Sequence, residues 1–127
     1  MNKGTLITSI IGLAFLASAP IQLARAAETK PKYSVEEIMK ALNKGQQNIG
    51  KRAASGQASK EDLTALVDYY DALPLNPPPK GDKASWTEKT AAVAKAARAL
   101  KAGESGAAEA FKAASNCKAC HSIHKPD

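Results

Sequence analysis

Close to the C-terminal end of the chain, Cys117-Lys118-Ala119-Cys120-His121 sets two thiols and an imidazole within one short stretch. On a helix these side chains fall at i, i+3 and i+4 and share one face. Thiols at this spacing can add to two vinyl groups along one porphyrin edge, while the adjacent imidazole ligates the iron. The pattern is the attachment signature of a c-type haem, one per chain and covalently held. A chain that carries it has to build walls around a flat, largely apolar disc.

Two other chemistries use similar residues. A thioredoxin-like redox pair shares the cysteine spacing, but it sits at a helix N-terminus in a βαβ setting, where the thiol pKa is lowered. Here the motif is expected at the far end of the last helix. A zinc site could draw on Cys117, Cys120, His121 and His124. Those four lie on one short stretch, whereas structural zinc ties separate segments together. A disulfide between the two cysteines would close a tiny loop and add little. Haem is the preferred reading.

The 127 residues suit one small domain. Its start has the form of a secretory signal peptide: Lys3, then an uncharged run from Leu6 to Ala19, then Ala24-Arg25-Ala26 with small residues at the positions a signal peptidase reads. The apolar run is short for a membrane span, so cleavage after Ala26 is expected. That leaves a domain of residues 27–127 in the periplasm, not spanning the membrane. Loss of Lys3 and Arg25 lowers the formal charge from +6 to +4. Such a modestly basic surface can steer an acidic redox partner, although a lysine-rich solvated helix face has the same composition. Basic residues are scattered and aromatics few, so no nucleic-acid surface is expected. The mature chain is rich in alanine and poor in large apolar side chains, and a buried haem would supply hydrophobic volume that it lacks.

Apolar residues recur at helical spacing throughout. Ser34-Val35-Glu36-Glu37 matches a capping box and predicts a first helix from Ser34 to about Ser55, stopped by Gly56 and weakened at Gly45 and Gly50. Ser59 starts a second helix, which Pro74 ends. Residues 74–83 (PLNPPPKGDK) predict a stiff, extended, non-helical connection. Ser85-Trp86-Thr87-Glu88 predicts a capped third helix ending at Gly103. Trp86 either covers a haem edge or plugs the end of the bundle, and the plug is preferred. A fourth helix is expected from about Ser105 to His124. Short connections favour antiparallel neighbours, so the expected fold is all-α, an antiparallel four-helix bundle with covalently bound haem.

In that topology the start of helix one lies beside the end of helix four. Met39, the one methionine of the mature chain, then falls opposite His121. His124 follows His121 on the same helix and cannot reach the other face of the ring. Met39 adjoins Ile38 on an apolar stripe and could instead fill core, a task methionine performs well. A soft, unbranched donor at this register makes it the candidate second axial ligand.

A haem-attachment motif near the C-terminus on the last of four helices, with Val35-Glu36-Glu37-Ile38-Met39-Lys40 in the first, resembles the class II cytochromes c, the cytochrome c′ superfamily. The resemblance extends over residues 27–127, and its specific part is Cys117–His121. It implies one of two behaviours. Low-spin members place a helix-one methionine on the iron and transfer electrons, and Met39 matches that position. High-spin members leave an apolar distal face and bind nitric oxide or carbon monoxide. Family members often carry an arginine four residues after the proximal histidine. Lys125 stands there in this chain, keeping the charge without the planar fork. The family also often dimerises through helix faces, so a homodimer is possible.

The expected function is that of an exported monohaem c-type cytochrome. It would carry single electrons between redox proteins through iron ligated by His121 and Met39. The alternative is a five-coordinate binder of nitric oxide or carbon monoxide. No constellation of catalytic acid, base or nucleophile is visible, so an enzyme is not expected.

Overall fold

Ser34 opens α1 (Val35–Asn43) by a reciprocal cap. Its hydroxyl accepts from the Glu37 N–H at 3.3 Å, and the Glu37 carboxylate accepts from the Ser34 N–H at 2.8 Å. Two donors that a helix start leaves without intrahelical partners are thereby satisfied. On the inner face Ile38 and Leu42 are completely buried. The computed structural model describes residues 30–44 and 48–127. The expected signal peptide and Gly45 lie outside the described residues.

α2 (Ile49–Ala54) is a separate helix with its own cap, the Asn48 side chain accepting from the Lys51 N–H at 3.0 Å. The single helix expected from Ser34 to Ser55 is therefore divided. Lys44 is extended beyond α1, and Asn48 supplies a new start, a position asparagine favours over a helix interior. Gly50 serves the junction: a Cβ there would sit 3.2 Å from the Leu42 carbonyl oxygen, so glycine lets α2 lie against the end of α1.

α3 (Lys60–Ala72) repeats the reciprocal cap through Ser59 and Asp62. Asp62 also accepts two bonds from Arg52 of α2, at 3.0 Å from Nε and 2.5 Å from Nη2, a half-buried planar fork joining α2 to α3. The Arg52 bonds, and then the Ser59 N–H, hold the Asp62 carboxyl below its ordinary pKa.

Pro74 ends α3 as expected, yet the chain continues through a 3₁₀ turn, Leu73–Leu75. Proline is tolerated in a first turn, where its missing N–H has no partner to lose. The expectation of an entirely non-helical connection over 74–83 is corrected to that extent. The cap of α4 (Lys83–Ala102) also differs. Asp82, not Ser85, is the N-cap, accepting from the Ser85 N–H at 2.8 Å, and the helix starts earlier than the Ser85–Glu88 pattern predicts. A carboxylate is a strong cap and sits well at the positive end of the helix. Gly103, at φ +70°, closes α4.

The expected fourth helix is two helices, α5 (Ala107–Ala114) and α6 (Cys117–His124). Ser115 ends the first, its N–H donating to Phe111 O at 2.8 Å. Asn116 caps the second, accepting from the Ala119 N–H at 3.1 Å.

All regular structure among the described residues is helical. α4 is the central element, packed along α3 on one side and α5 on the other. Alanines at 94, 96 and 97 permit this close approach, and Leu66, Trp86, Val93 and Phe111 fill the space between. α6 does not pack backbone to backbone against any other helix to a comparable degree. Side chains hold it, and it stands over a cavity. Among the described residues no helix is long and apolar enough to cross a membrane.

Candidate cofactor site

The space left between α6 and the other helices is a cavity of about 370 Å³. α1 contributes Val35, Met39 and Asn43 to its walls, and α3 contributes Tyr70. Trp86, Lys89, Thr90 and Val93 come from α4, and Cys117, Cys120, His121 and His124 from α6. Residues distant in sequence are brought together here: Met39 of the first helix and the Cys117–His121 motif of the last line one space.

The motif is presented by a helix start. Cys117 is the first residue of α6 and exposed, with its thiol donating weakly to Ser115 O at 3.5 Å. Cys120, one turn on, is half-buried against the core. The two thiols are free. The ring of His121 is exposed and makes no hydrogen bond among the described residues. Its nitrogens are thus available for coordination.

Two cavity-facing acids, Cys120 and Tyr70, are pushed toward their neutral forms by burial. Burial pushes the Cys120 thiol up, with the Lys89 ammonium pulling the other way and Cys117 adding to the rise. Burial, and to a lesser extent the two cysteines, raises the Tyr70 phenol well above its ordinary range. Tyr70 meets Phe111 edge to face at 5.9 Å between ring centres, and its hydroxyl has no hydrogen-bond partner among the described residues.

His124 has the opposite surroundings. It is 2% exposed, with Nδ1 2.8 Å from the Lys80 carbonyl oxygen and Nε2 3.2 Å from the Ser85 hydroxyl. A carbonyl only accepts, so Nδ1 carries the proton and donates, and in the uncharged ring Nε2 accepts from Ser85. Trp86 packs edge to face on the same ring at 5.4 Å and donates from Nε1 to Asn76 O at 2.8 Å. Asn76, itself buried, donates to Tyr33 O at 3.0 Å and Ala72 O at 2.9 Å. These bonds clasp the proline-rich connection onto α6. Gly81, at φ +82°, completes the clasp, since a Cβ would stand 2.9 Å from Ile123 O and 3.1 Å from His124 Nδ1.

This geometry bears on the rival chemistries. The motif occupies the first turn of a helix, not the far end expected, so helix position does not by itself separate it from a thioredoxin-like pair. The setting does: a redox pair of that kind belongs to a βαβ unit, whereas all regular structure among the described residues is helical. A zinc set of Cys117, Cys120, His121 and His124 is opposed by the engagement of both His124 nitrogens with Lys80 and Ser85. Free thiols beside an unengaged imidazole, a thioether on the same cavity and mainly apolar walls form a donor set that fits a haem.

Sequence reasoning weighed His124 only as a rival zinc ligand and missed Asn76 and Asn43 as contributors. Only Asn76, amid prolines, carried any local signal, as a turn residue. No protein-family model, curated protein or solved structure matches the chain.

Proposed function

We propose that this chain is an exported, periplasmic monohaem c-type cytochrome that carries single electrons between redox proteins, with an antiparallel four-helix-bundle fold. The arms of that bundle are α1 with α2, then α3, then α4, then α5 with α6. Cys117 and Cys120 would hold the haem through thioethers, and His121 and Met39 would supply the two donors to its iron. One observation carries the reading: the attachment motif and the sole methionine of the mature chain line the same cavity. When bound, haem supplies a reversible one-electron couple at its iron.

The residues around it have definite tasks. Cys117 and Cys120 anchor one edge. His121, with both nitrogens unengaged among the described residues, would give one to the metal and leave the other for water. Met39 offers a soft, uncharged sulfur, which favours the ferrous state and a raised potential. Val35, Leu73, Trp86 and Val93 keep water from the inner face, and burial there disfavours added charge. Ligands borne by α1 and by an α6 pinned through His124 would stay in place when the charge changes, which keeps reorganisation small.

Acid-acetone extraction tests the attachment. The pigment should stay with the protein, and Cys117→Ser with Cys120→Ser together should release it. A pigment that extracts from the unaltered chain excludes the covalent assignment. Spectra test the function. The ferric protein should show the far-red charge-transfer band of thioether ligation, and Met39→Ala should abolish the band and lower the potential. If the unaltered ferrous protein is high-spin and takes up carbon monoxide at an open position, gas binding replaces electron transfer as the function.

A further inference from the structure

Asn43 lies one helical turn beyond Met39, on the same face of α1, and both residues line the cavity. Its side-chain Nδ2 is 3.3 Å from the Met39 carbonyl oxygen and 3.9 Å from the Met39 sulfur. Asparagine is a poor residue for a helix interior, but at the last position of α1 its amide can turn back over the preceding turn. We propose that Asn43 is a positioning residue for the Met39 thioether, its amide N–H donating to one sulfur lone pair so that the other is left for the metal. The inference rests on reading Met39 as an axial ligand.

The physical need is clear. Methionine has three freely rotating side-chain bonds, and fixing them in one arrangement costs entropy. A thioether offers few handles by which a protein can hold it, being only a weak acceptor. An amide one turn away, itself tethered to the Met39 carbonyl, supplies such a handle. The same bond draws electron density from sulfur. Ferric iron needs that density more than ferrous iron, so the bond raises the potential, the usual consequence of hydrogen bonding around a ligand atom.

Imidazole displacing Met39 from the ferric holoprotein gives the test. Asn43→Leu keeps the bulk and removes the donor, and Asn43→Asp offers only acceptor oxygens. Both should bind imidazole about ten- to a hundred-fold more tightly, the usual effect of removing a partner of a ligating group, and Asn43→Leu should have a lower midpoint potential. In a Met39→Ala background, Asn43→Leu should change neither quantity, because the coupling runs through the sulfur. Wild-type imidazole affinity and potential in either Asn43 variant that loads haem overturns the inference, as does an unchanged effect without Met39. The Met39→Ala protein separates this from the parent reading. If Met39→Ala alone leaves the ferric spectrum and imidazole affinity unaltered, ligation by Met39 fails. If it alters both while Asn43→Leu is silent, only the role of Asn43 fails.

Discussion

His121 and His124 stand less than one turn apart on α6, and their surroundings are opposite. His121 is exposed with an unengaged ring, whereas His124 is buried with a partner on each nitrogen. The contrast extends to the two regions they belong to. Around the cavity, the His121 imidazole and the Tyr70 hydroxyl have no partner among the described residues, while the Cys117 thiol and the Met39 thioether have long contacts only. In the clasp, the polar groups of His124, Ser85, Trp86 and Asn76 are joined by bonds of 2.8–3.2 Å. Buried polar groups are ordinarily satisfied within the protein. A clasp so completed holds α6 in place, and the donors left over around the cavity are the ones available to a ligand.

Substituting the two histidines would break or sharpen this comparison. His124→Ala should destabilise the haem-free chain by about 3 kcal/mol, from lost packing and two deprived partners. His121→Ala, altering an exposed side chain, should stay within about 0.5 kcal/mol while abolishing the spectrum expected of the proposed ligation. Urea unfolding measures both, and equal losses would erase the distinction between structural clasp and open donor.

The clasp should also fail when struck elsewhere. Asn76→Ala removes the donor to Tyr33 O and Ala72 O, at a cost of about 2 kcal/mol. Gly81→Ala should cost about 2 kcal/mol, because it forces a left-handed backbone on alanine and drives a Cβ against α6. Amide hydrogen exchange over α6 should rise in both variants. Protection unchanged in α6 would mean that it is held by something other than the clasp.

The smallest effect concerns the Arg52–Asp62 fork, remote from the cavity. The folded-state pKa of Asp62 lies below its ordinary value of 3.8, so its stabilisation is present above that value and lost as the pH falls through the folded-state value. Asp62→Asn should flatten the acid limb of a stability–pH curve and leave the spectrum of the proposed haem untouched. An identical acid limb in the variant would assign the acid sensitivity to other carboxylates.

Much of the architecture could be read directly from local pattern. The caps at Ser34 and Ser59, the stops at Pro74 and Gly103 and the helical stripes through Leu42, Leu66 and Val93 depend on neighbours a turn away. The failures share a cause. The Ser85–Glu88 pattern pointed to Ser85 as the cap of α4, whereas the cap that forms is Asp82, three residues earlier. In the folded chain the Ser85 side chain meets His124, thirty-nine residues on. Asn116 reads as a weak point in an alanine-rich helix, but a restart of the helix there also depends on α6 having a surface to dock against.

For the site, the chemistry was legible and the arrangement was not. Thiol, imidazole and thioether are properties of residue types, and two-residue spacing alone puts Cys117, Cys120 and His121 on one side of a helix turn. Sequence by itself therefore determined which atoms can bind and that the regular structure is helical. Only the tertiary structure decided that Met39 shares a cavity with those groups, that Asn43 reaches its sulfur, and that His124 is held by the proline loop. Such relations arise where separate segments exclude water together, and no local pattern encodes a contact that exists only after the chain has closed on itself.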